Sequence, residues 1–399
     1  MNCPHLTSWK TGVPPVLADG LPACRFISGQ VGGAVCPHRL EACSPIRFAI
    51  LLASLSLALI HPLAAQQPAA VDPVFAEWRA KVDPAVENAL SYLQRIQKPD
   101  GSFDGQYGDT TGVPALVGMA FLSKGHLPTD GPYTTALNRI IDFILANQKA
   151  DGLFEKGSAG SGPMYAHNIA TLFLSEASGM MDPVRQKRVA EALPKAISLI
   201  LRAQAVKKDE NNRGGWRYFP GSTDSDTSCS GWALMALRSS KLNGAAIPDE
   251  AIRNAVDYLH RHQDPHEGCF GYTGRNDKAQ SLTGMGLLCL ELCGEHGSPN
   301  NQRAADWLLR HFREIANSQF EFYGNYYNAQ AMFQIGGRHW QEYASWMYSS
   351  FLPKQFPDGS WESREAGRIY GTAVMVLAFT VPWRQLPIYQ RDETVDETP

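Results

Sequence analysis

The sequence predicts an all-α fold, an α/α6 toroid in which six outer helices surround six inner helices. Three observations lead to this prediction. One short motif recurs along the chain, amphipathic and uniformly apolar helical segments alternate, and no segment shows the period-two alternation typical of half-buried strands. With 44% hydrophobic residues, the chain of 399 residues also has ample material for a buried core.

The recurring motif is a glutamine followed by a Gly-x-aromatic turn. Looser copies of the motif begin at Gln204, Gln263 and Gln319. The period of roughly 50 residues has room for two helices and two loops in each repeat. The three closest copies are Gln97-Lys-Pro-Asp-Gly-Ser-Phe103, Gln148-Lys-Ala-Asp-Gly-Leu-Phe154 and Gln355-Phe-Pro-Asp-Gly-Ser-Trp361.

Two kinds of helix fill each repeat. The helix before each glutamine is amphipathic, with apolar residues at helical spacing, as in Leu137, Ile140, Ile141, Ile144 and Leu145. A helix that is apolar on every side has to be buried on every side, so the second kind forms the inner ring. Four segments of this second kind follow the turns: Ala115–Leu122, Trp232–Leu237, Gly284–Leu292 and Ala373–Phe379.

The chain divides into four predicted regions: an N-terminal extension with a secretory signal peptide (1–65), a linker (66–81), the toroid (82–389) and a flexible acidic tail (390–399). The signal prediction depends on Phe48–Ile60, an uncharged run of 13 residues that follows Arg47 and precedes Ala64 and Ala65. As a helix this run rises about 20 Å, too short for a bilayer core of roughly 30 Å. We expect cleavage near Ala65 and export to the periplasm or the extracellular space.

Charge and cysteine content indicate which partners and which cysteine chemistry to expect. The chain has 36 basic and 39 acidic residues, a net charge of −3, which gives no reason to expect binding to nucleic acid. No transmembrane helix is expected once the signal is removed, and protein partners are not predicted. The four cysteines of the toroid are too few for a disulfide framework and are expected to be buried free thiols: Cys229, Cys269, Cys289 and Cys293.

The repeats resemble those of the squalene–hopene cyclase and protein prenyltransferase superfamily, specifically an exported bacterial subgroup of prenyltransferase/squalene-oxidase repeat proteins. In that superfamily the Gln…Gly-x-Trp/Phe element is a structural clasp at the helix ends, and the resemblance covers nearly the whole toroid. The resemblance implies the fold more firmly than the reaction. Four further segments carry it: Gly215-Trp-Arg-Tyr-Phe-Pro220, Asp224-Ser-Asp-Thr-Ser228, Tyr165-Ala-His167 and Tyr326-Tyr-Asn-Ala-Gln330.

The candidate site lies where the inner helices begin, because their N-termini are expected to meet at one end of the barrel. Polar and aromatic residues collect just before and within the first turns of these helices. An apolar aromatic cavity would suit a polyprenyl chain, and aromatic faces can stabilise a carbocation. The competing interpretation is core packing and ordinary helix capping. The candidate ligand-binding residues are Tyr165, His167, Asp277, Tyr326, Tyr327, Arg368 and Tyr370.

The catalytic motifs implied by the resemblance are not intact. A cyclase of this superfamily protonates an alkene with the central acid of Asp-x-Asp-Asp-Thr, but Ser225 occupies that position between Asp224 and Asp226. These two aspartates are the candidate catalytic residues, acting from a shifted register. A prenyltransferase carries zinc on Asp, Cys and His, but Ser281 and Thr283 stand where Asp and Cys belong. We therefore predict no metal site and no cofactor.

The sequence favours a toroid that binds or processes an apolar ligand of the polyprenyl or triterpene type. It leaves open whether the chain is an enzyme; an enzyme would be a terpenoid cyclase, that is an isomerase, or prenyltransferase-like. Two alternatives remain. One is an exported scaffold or binding protein without catalysis, and the other is a glycan-active toroid that uses paired carboxylates.

Overall fold

The computed structural model describes residues 72–157 and 162–389, and all its regular elements are helical apart from isolated β-bridges. The predicted signal segment and acidic tail lie outside the described residues. The outer helices are α1 Pro73–Ile96, α3 Thr134–Ala146, α5 Pro183–Ala205, α7 Asp249–His262, α9 Pro299–His311 and α11 Gly337–Phe351. The inner helices are α2 Gly112–Ser123, α4 Met164–Glu176, α6 Thr227–Leu242, α8 Gln280–Leu292, α10 Glu321–Ile335 and α12 Gly367–Phe379.

The helices form a closed ring, which confirms the predicted α/α6 toroid. Each inner helix contacts the inner helix before and after it, and α12 contacts α2, so the sixth repeat packs on the first. Every residue of α2 is buried, as expected for a helix that is apolar on all sides. Short 3-10 helices complete the described part: Phe312–Asn317, Leu352–Lys354, Val381–Trp383 and Pro387–Tyr389.

The glutamine of the motif clasps one repeat to the next. The side-chain N–H group of Gln148 donates to the carbonyl oxygens of Gly152 in its own turn and Ala192 in the following outer helix, at 3.2 and 2.9 Å. The last clasp closes the ring, because Gln355 donates to Ala85 of α1 at 2.8 Å, across 270 positions of the chain. Gln319 is different: it is exposed, and a 3-10 helix precedes it.

The glycine of the motif lets the turn approach the following outer helix closely. Gly359 has a φ of 94°, a left-handed conformation that other residues rarely adopt. A Cβ atom there would lie 2.4 Å from the carbonyl oxygen of Asn88 in α1. The same combination of positive φ and close backbone contact recurs at Gly101, Gly152, Gly214 and Gly268.

The first helix begins earlier than the predicted toroid boundary at residue 82. Helix α1 begins at Pro73, inside the segment expected to be a linker. Asp72 explains this start: its carboxylate accepts a hydrogen bond from the N–H group of Phe75 at 2.8 Å, and proline suits the first helical position. None of the described helices is both long and apolar enough to cross a membrane.

Candidate functional site

A pocket of about 560 Å³ opens at the end of the barrel where the inner helices begin. All six inner helices contribute residues from their first two turns, and the preceding loops complete the wall. The pocket is therefore a product of the ring itself. The helices contribute Gly112, Val113, Leu116, Tyr165, Ala166, Ile169, Ser228, Trp232, Ser281, Leu282, Tyr323 and Tyr370, and the loops contribute Tyr107, Thr110, Tyr218, Tyr272, Asp277, Ala279, Phe320, Glu365 and Ala366.

Four of the six tyrosine hydroxyl groups in the wall bond to one another or to serine. The hydroxyl of Tyr165 donates to Ser228 Oγ at 2.7 Å, and Ser228 is also hydrogen-bonded to Tyr323. Tyr218 and Tyr272 form a second hydroxyl pair. Because these polar groups satisfy each other, the cavity is lined mainly by ring faces and aliphatic side chains, a surface suited to an apolar ligand.

The predicted residues Tyr326 and Tyr327 lie beneath the pocket and do not line it. Both are buried in α10, where their rings pack on Trp232. Trp232 lines the pocket, with its ring centroid 5.7 Å from that of Tyr326 and 5.4 Å from that of Tyr327. The two tyrosines therefore support an aromatic wall residue, whereas Tyr165 and Tyr370 contact the cavity directly.

Asp277 also lines the pocket, but its carboxylate holds a turn together. It accepts hydrogen bonds from the N–H groups of Tyr272 and Thr273, both at 3.0 Å, and from the Thr273 hydroxyl at 3.3 Å. Burial by itself would raise the pKa of Asp277, but these hydrogen bonds outweigh it and hold the pKa below its usual range. The group is therefore a fixed negative charge in the wall.

Glu365 is the second acidic residue in the wall, and sequence reasoning missed it. It lies just before α12, and one carboxylate oxygen accepts hydrogen bonds from the N–H groups of Phe322 and Tyr323 at 3.0 and 3.1 Å. The other oxygen is bonded by the hydroxyl of Ser363. Burial raises the pKa of Glu365 to about 7 despite these bonds, so the carboxyl group holds a proton in a large fraction of molecules at neutral pH.

The predicted catalytic aspartates lie behind the aromatic wall. Asp226 is fully buried and caps α6, accepting a hydrogen bond from the N–H group of Cys229 at 2.7 Å. Asp224 is exposed. Arg217 lies 3.3 Å from a carboxylate oxygen of each. Burial raises the pKa of Asp226 to about 6, against the effects of its hydrogen bonds and of Arg217. Neither aspartate contributes to the pocket lining.

Ser225, at the position of the usual cyclase acid, is a turn residue. Its N–H group donates to the side chain of Asn212 at 2.7 Å, and its hydroxyl donates to the carbonyl oxygen of Asn212 at 2.8 Å. The side chain is buried and does not line the pocket. The turn geometry explains a serine here without any catalytic role.

His167 is buried on the outer side of α4, away from the pocket lining. Its Nδ1 accepts a hydrogen bond from the N–H group of Phe154 at 3.0 Å, so Nε2 carries the proton and donates to Ala196 at 3.2 Å. Burial lowers the pKa of His167 to about 4, which keeps it neutral. In three other repeats the backbone N–H group of the motif's aromatic residue donates to a hydroxyl group instead of a histidine. The acceptors are Ser230, Thr283 and Thr372.

Arg368 is a surface residue. Its guanidinium group pairs with Asp358 and Glu362, each at 3.3 Å, and it does not line the pocket. Its position at the start of α12 is correct, but its side chain points toward solvent. The acid that does reach the cavity from this segment, Glu365, is three positions earlier in the chain.

One group in the described part of the chain has the donor atoms of a metal site: Asp264, Glu267 and Cys269. The ammonium group of Lys278 already lies 3.0 Å from Asp264 and 2.7 Å from Glu267. This cation forms an ion pair with each carboxylate, so the cluster is accounted for as an ion-pair network on the surface.

No family profile matches the chain. A curated relative, drimenyl diphosphate synthase from Streptantibioticus cattleyicolor, is 25% identical over 200 residues. The match spans 49% of this chain and 33% of the synthase, so the chain covers about a third of its relative's length.

Solved structures with the same fold include type II terpene cyclases from Scytonema. A complex of one with geranylgeranyl dihydroxybenzoate is 14% identical, with a TM-score of 0.52 over 78% of this chain and 99% of that chain. A complex with merosterolic acid A is 15% identical, with a TM-score of 0.53 and the same coverage. A reducing end xylose-releasing exo-oligoxylanase is 14% identical, with a TM-score of 0.50 over 79% of this chain and 95% of that chain.

These similarities establish the fold. The resemblance to terpenoid-cyclase toroids predicted from the repeats is confirmed at this level. The oligoxylanase has the same fold to nearly the same degree, so the fold by itself does not choose between an isoprenoid and a glycan. That choice depends on the pocket. The chain has the α/α toroid fold of the type II terpene cyclases.

Proposed function

We propose that this toroid binds an isoprenoid-type apolar molecule in its aromatic pocket and acts on it as a terpene cyclase does, by proton transfer. The observation that carries the proposal is the pocket wall. It consists mainly of ring faces and aliphatic side chains, and most of its tyrosine hydroxyl groups form hydrogen bonds within the wall. Its volume of about 560 Å³ falls within the roughly 300–1,000 Å³ typical of ligand sites. The ligands in the Scytonema cyclase complexes support the same class of molecule.

Glu365 is the proton donor in this proposal, in place of the predicted Asp224 and Asp226. It is the acid of raised pKa that lines the cavity. In the first step its proton moves to an alkene carbon, leaving a carboxylate and a carbocation on the substrate. The N–H groups of Phe322 and Tyr323 stabilise the carboxylate, and the aromatic wall stabilises the cation. Loss of a proton from the cyclised cation restores the acid.

The glycan-active alternative is less well supported by the same pocket. Glycoside hydrolysis needs two carboxyl groups flanking the scissile bond, one as an acid and one as a base or nucleophile. The wall supplies Asp277 and Glu365, but both oxygens of Asp277 are engaged by the turn. Both oxygens of Glu365 also accept hydrogen bonds, so the preference for an alkene over a glycan rests on the mainly apolar lining of the pocket and not on the number of free carboxyl groups.

Native mass spectrometry of the protein purified from a lipid-containing host tests the proposal. We expect a bound isoprenoid, or uptake of added farnesol or squalene. Ala166→Phe places a ring in the pocket and should abolish uptake, whereas Ala80→Phe, at an exposed position on α1, should not. Circular dichroism would confirm that both variants are folded. A wild-type protein that takes up none of these molecules would contradict the proposal.

Turnover is tested separately with Glu365→Gln, which keeps the shape of the side chain and removes the proton. We expect cyclised product from the wild type and none from the variant, with ligand uptake retained in both. Asp226→Asn is the comparison, because Asp226 caps a helix behind the wall. If Asp226→Asn abolished turnover while Glu365→Gln did not, the assignment of Glu365 would be wrong.

A further inference from the structure

The pocket wall carries negative charge and no positive charge. Asp277 and Glu365 both line it, and none of its lining residues within the described ranges is Lys, Arg or His. Asp277 stays ionised because its hydrogen bonds hold its pKa low, and Glu365 is ionised in part of the molecules at neutral pH. A ligand in the pocket therefore faces one to two negative charges, one of them on the exposed side chain of Asp277.

A cation close to the wall is already engaged. Arg217 lies behind the aromatic wall, with its guanidinium carbon 4.4 Å from the ring centre of Tyr218 and 5.3 Å from that of Tyr272. Asp224 and Asp226 each lie 3.3 Å from this guanidinium group. Two carboxylates thus compensate one guanidinium, and no net positive charge is left for a ligand.

Helix N-termini often bind phosphate through their free N–H groups, but at two of the inner helices, α10 and α6, a carboxylate of the chain already accepts hydrogen bonds from these groups. At α10 the N–H groups of Phe322 and Tyr323 donate to Glu365, at 3.0 and 3.1 Å. At α6 the N–H group of Cys229 donates to Asp226. An internal carboxylate therefore occupies the place at each of these helix starts where a phosphate group would bind.

We propose that the pocket selects isoprenoids with an uncharged head group, such as an alcohol or a hydrocarbon, and excludes the diphosphate ester of the same chain. This inference rests on the proposed function and names its substrate class. A diphosphate would lose its hydration and face like charges without a compensating cation, and such repulsion weakens binding. We expect the diphosphate to bind about a hundredfold more weakly than the alcohol.

The test compares two ligands that share one tail. Farnesol and farnesyl diphosphate are titrated into the full-length protein in metal-free buffer below their aggregation concentrations, with binding followed by native mass spectrometry. The diphosphate titration is repeated with Mg²⁺. We expect farnesol to bind about a hundredfold more tightly, with or without the metal. Diphosphate binding as tight as that of farnesol, in either buffer, would overturn the inference. The proposed function would not be affected, because the protein would still bind an isoprenoid.

Charge-removing variants test the cause of the selection. Asp277→Asn combined with Glu365→Gln should narrow the ratio of the affinities for farnesol and farnesyl diphosphate at least tenfold. Glu362→Gln is the matched control, because Glu362 is exposed outside the pocket and should leave the ratio unchanged. An unchanged ratio in the folded double variant would refute the electrostatic argument. Failure of the wild type to bind farnesol, farnesyl diphosphate or squalene would refute both this inference and the proposed function.

Discussion

Glu176 should make the stability of the toroid fall as pH rises through neutrality. It is the last residue of inner helix α4, at the opposite end of that helix from the pocket, and its side chain is fully buried. One carboxyl oxygen bonds to the hydroxyl of Ser239, and the other accepts a hydrogen bond from the N–H group of Ile388 at 3.1 Å. Burial raises the pKa of Glu176 from 4.5 to about 7 despite both bonds.

The sign and size of the effect follow from this pKa. The folded state holds the proton more tightly than the unfolded state, whose carboxyl group titrates near its ordinary value. The stabilisation is fully present below pH 4.5 and is lost as the pH rises through about 7. A difference of this size corresponds to about 3 kcal/mol in the free energy of unfolding, at about 1.4 kcal/mol per pH unit.

Urea unfolding followed by circular dichroism at pH 5 and pH 8 measures this. Glu176→Gln carries no titratable proton at this position, so the wild type should lose about 2.5 kcal/mol more than the variant between pH 5 and pH 8. Glu365 titrates in both proteins and cancels from the comparison. Glu191→Gln, on the exposed side of α5, should behave as the wild type. Parallel pH profiles for the wild type and Glu176→Gln would refute the reasoning.

Two further predictions concern the repeat turns. Gly359→Ala combines a left-handed conformation with a clash against Asn88, and should lower the free energy of unfolding by about 2 kcal/mol more than Gly131→Ala does. Gly131 is the control because it has a similar φ but no atom within 4 Å of a Cβ placed there. Equal losses of stability in urea unfolding would contradict the close-contact argument. His167→Ala leaves the buried N–H group of Phe154 without its acceptor, and should lower the free energy of unfolding by about 1–3 kcal/mol with farnesol binding unchanged. Loss of farnesol binding at unchanged stability would instead show that His167 belongs to the binding site.

Most of the fold was predictable because the ring repeats one unit, an outer helix and an inner helix joined by the same kind of turn. The uniformly apolar segments identify the inner helices, and the clasp motif locates the turns between them. Closure between Gln355 and Ala85 follows from the same pattern, since the last clasp needs a following outer helix and finds it in α1. The start of α1 at Pro73 was not foreseen, because the Asp72 cap lies in a stretch whose composition resembles a linker.

The site was predictable in location but not in detail. Helix N-termini converge on the pocket as expected, and Tyr165, Asp277 and Tyr370 do line it. Sequence order does not say which way a side chain points, so Arg368 was chosen where Glu365 reaches the cavity. His167 was misleading for a related reason: it fills a hydrogen-bonding position that serine or threonine fills in other repeats, and only the comparison of turns in three dimensions shows this.

In the proposed function, the ring geometry also explains how acid chemistry persists without the usual motif. Six inner helices begin around one cavity, so an acid near the start of any of them can line that cavity when its side chain points inward. Ser225 removes the expected acid near α6, where the remaining Asp226 is a helix cap paired with Arg217. Glu365 supplies a carboxyl group of raised pKa near α12, with backbone N–H groups in place to stabilise its conjugate base. The loss of one motif therefore does not by itself imply the loss of the reaction.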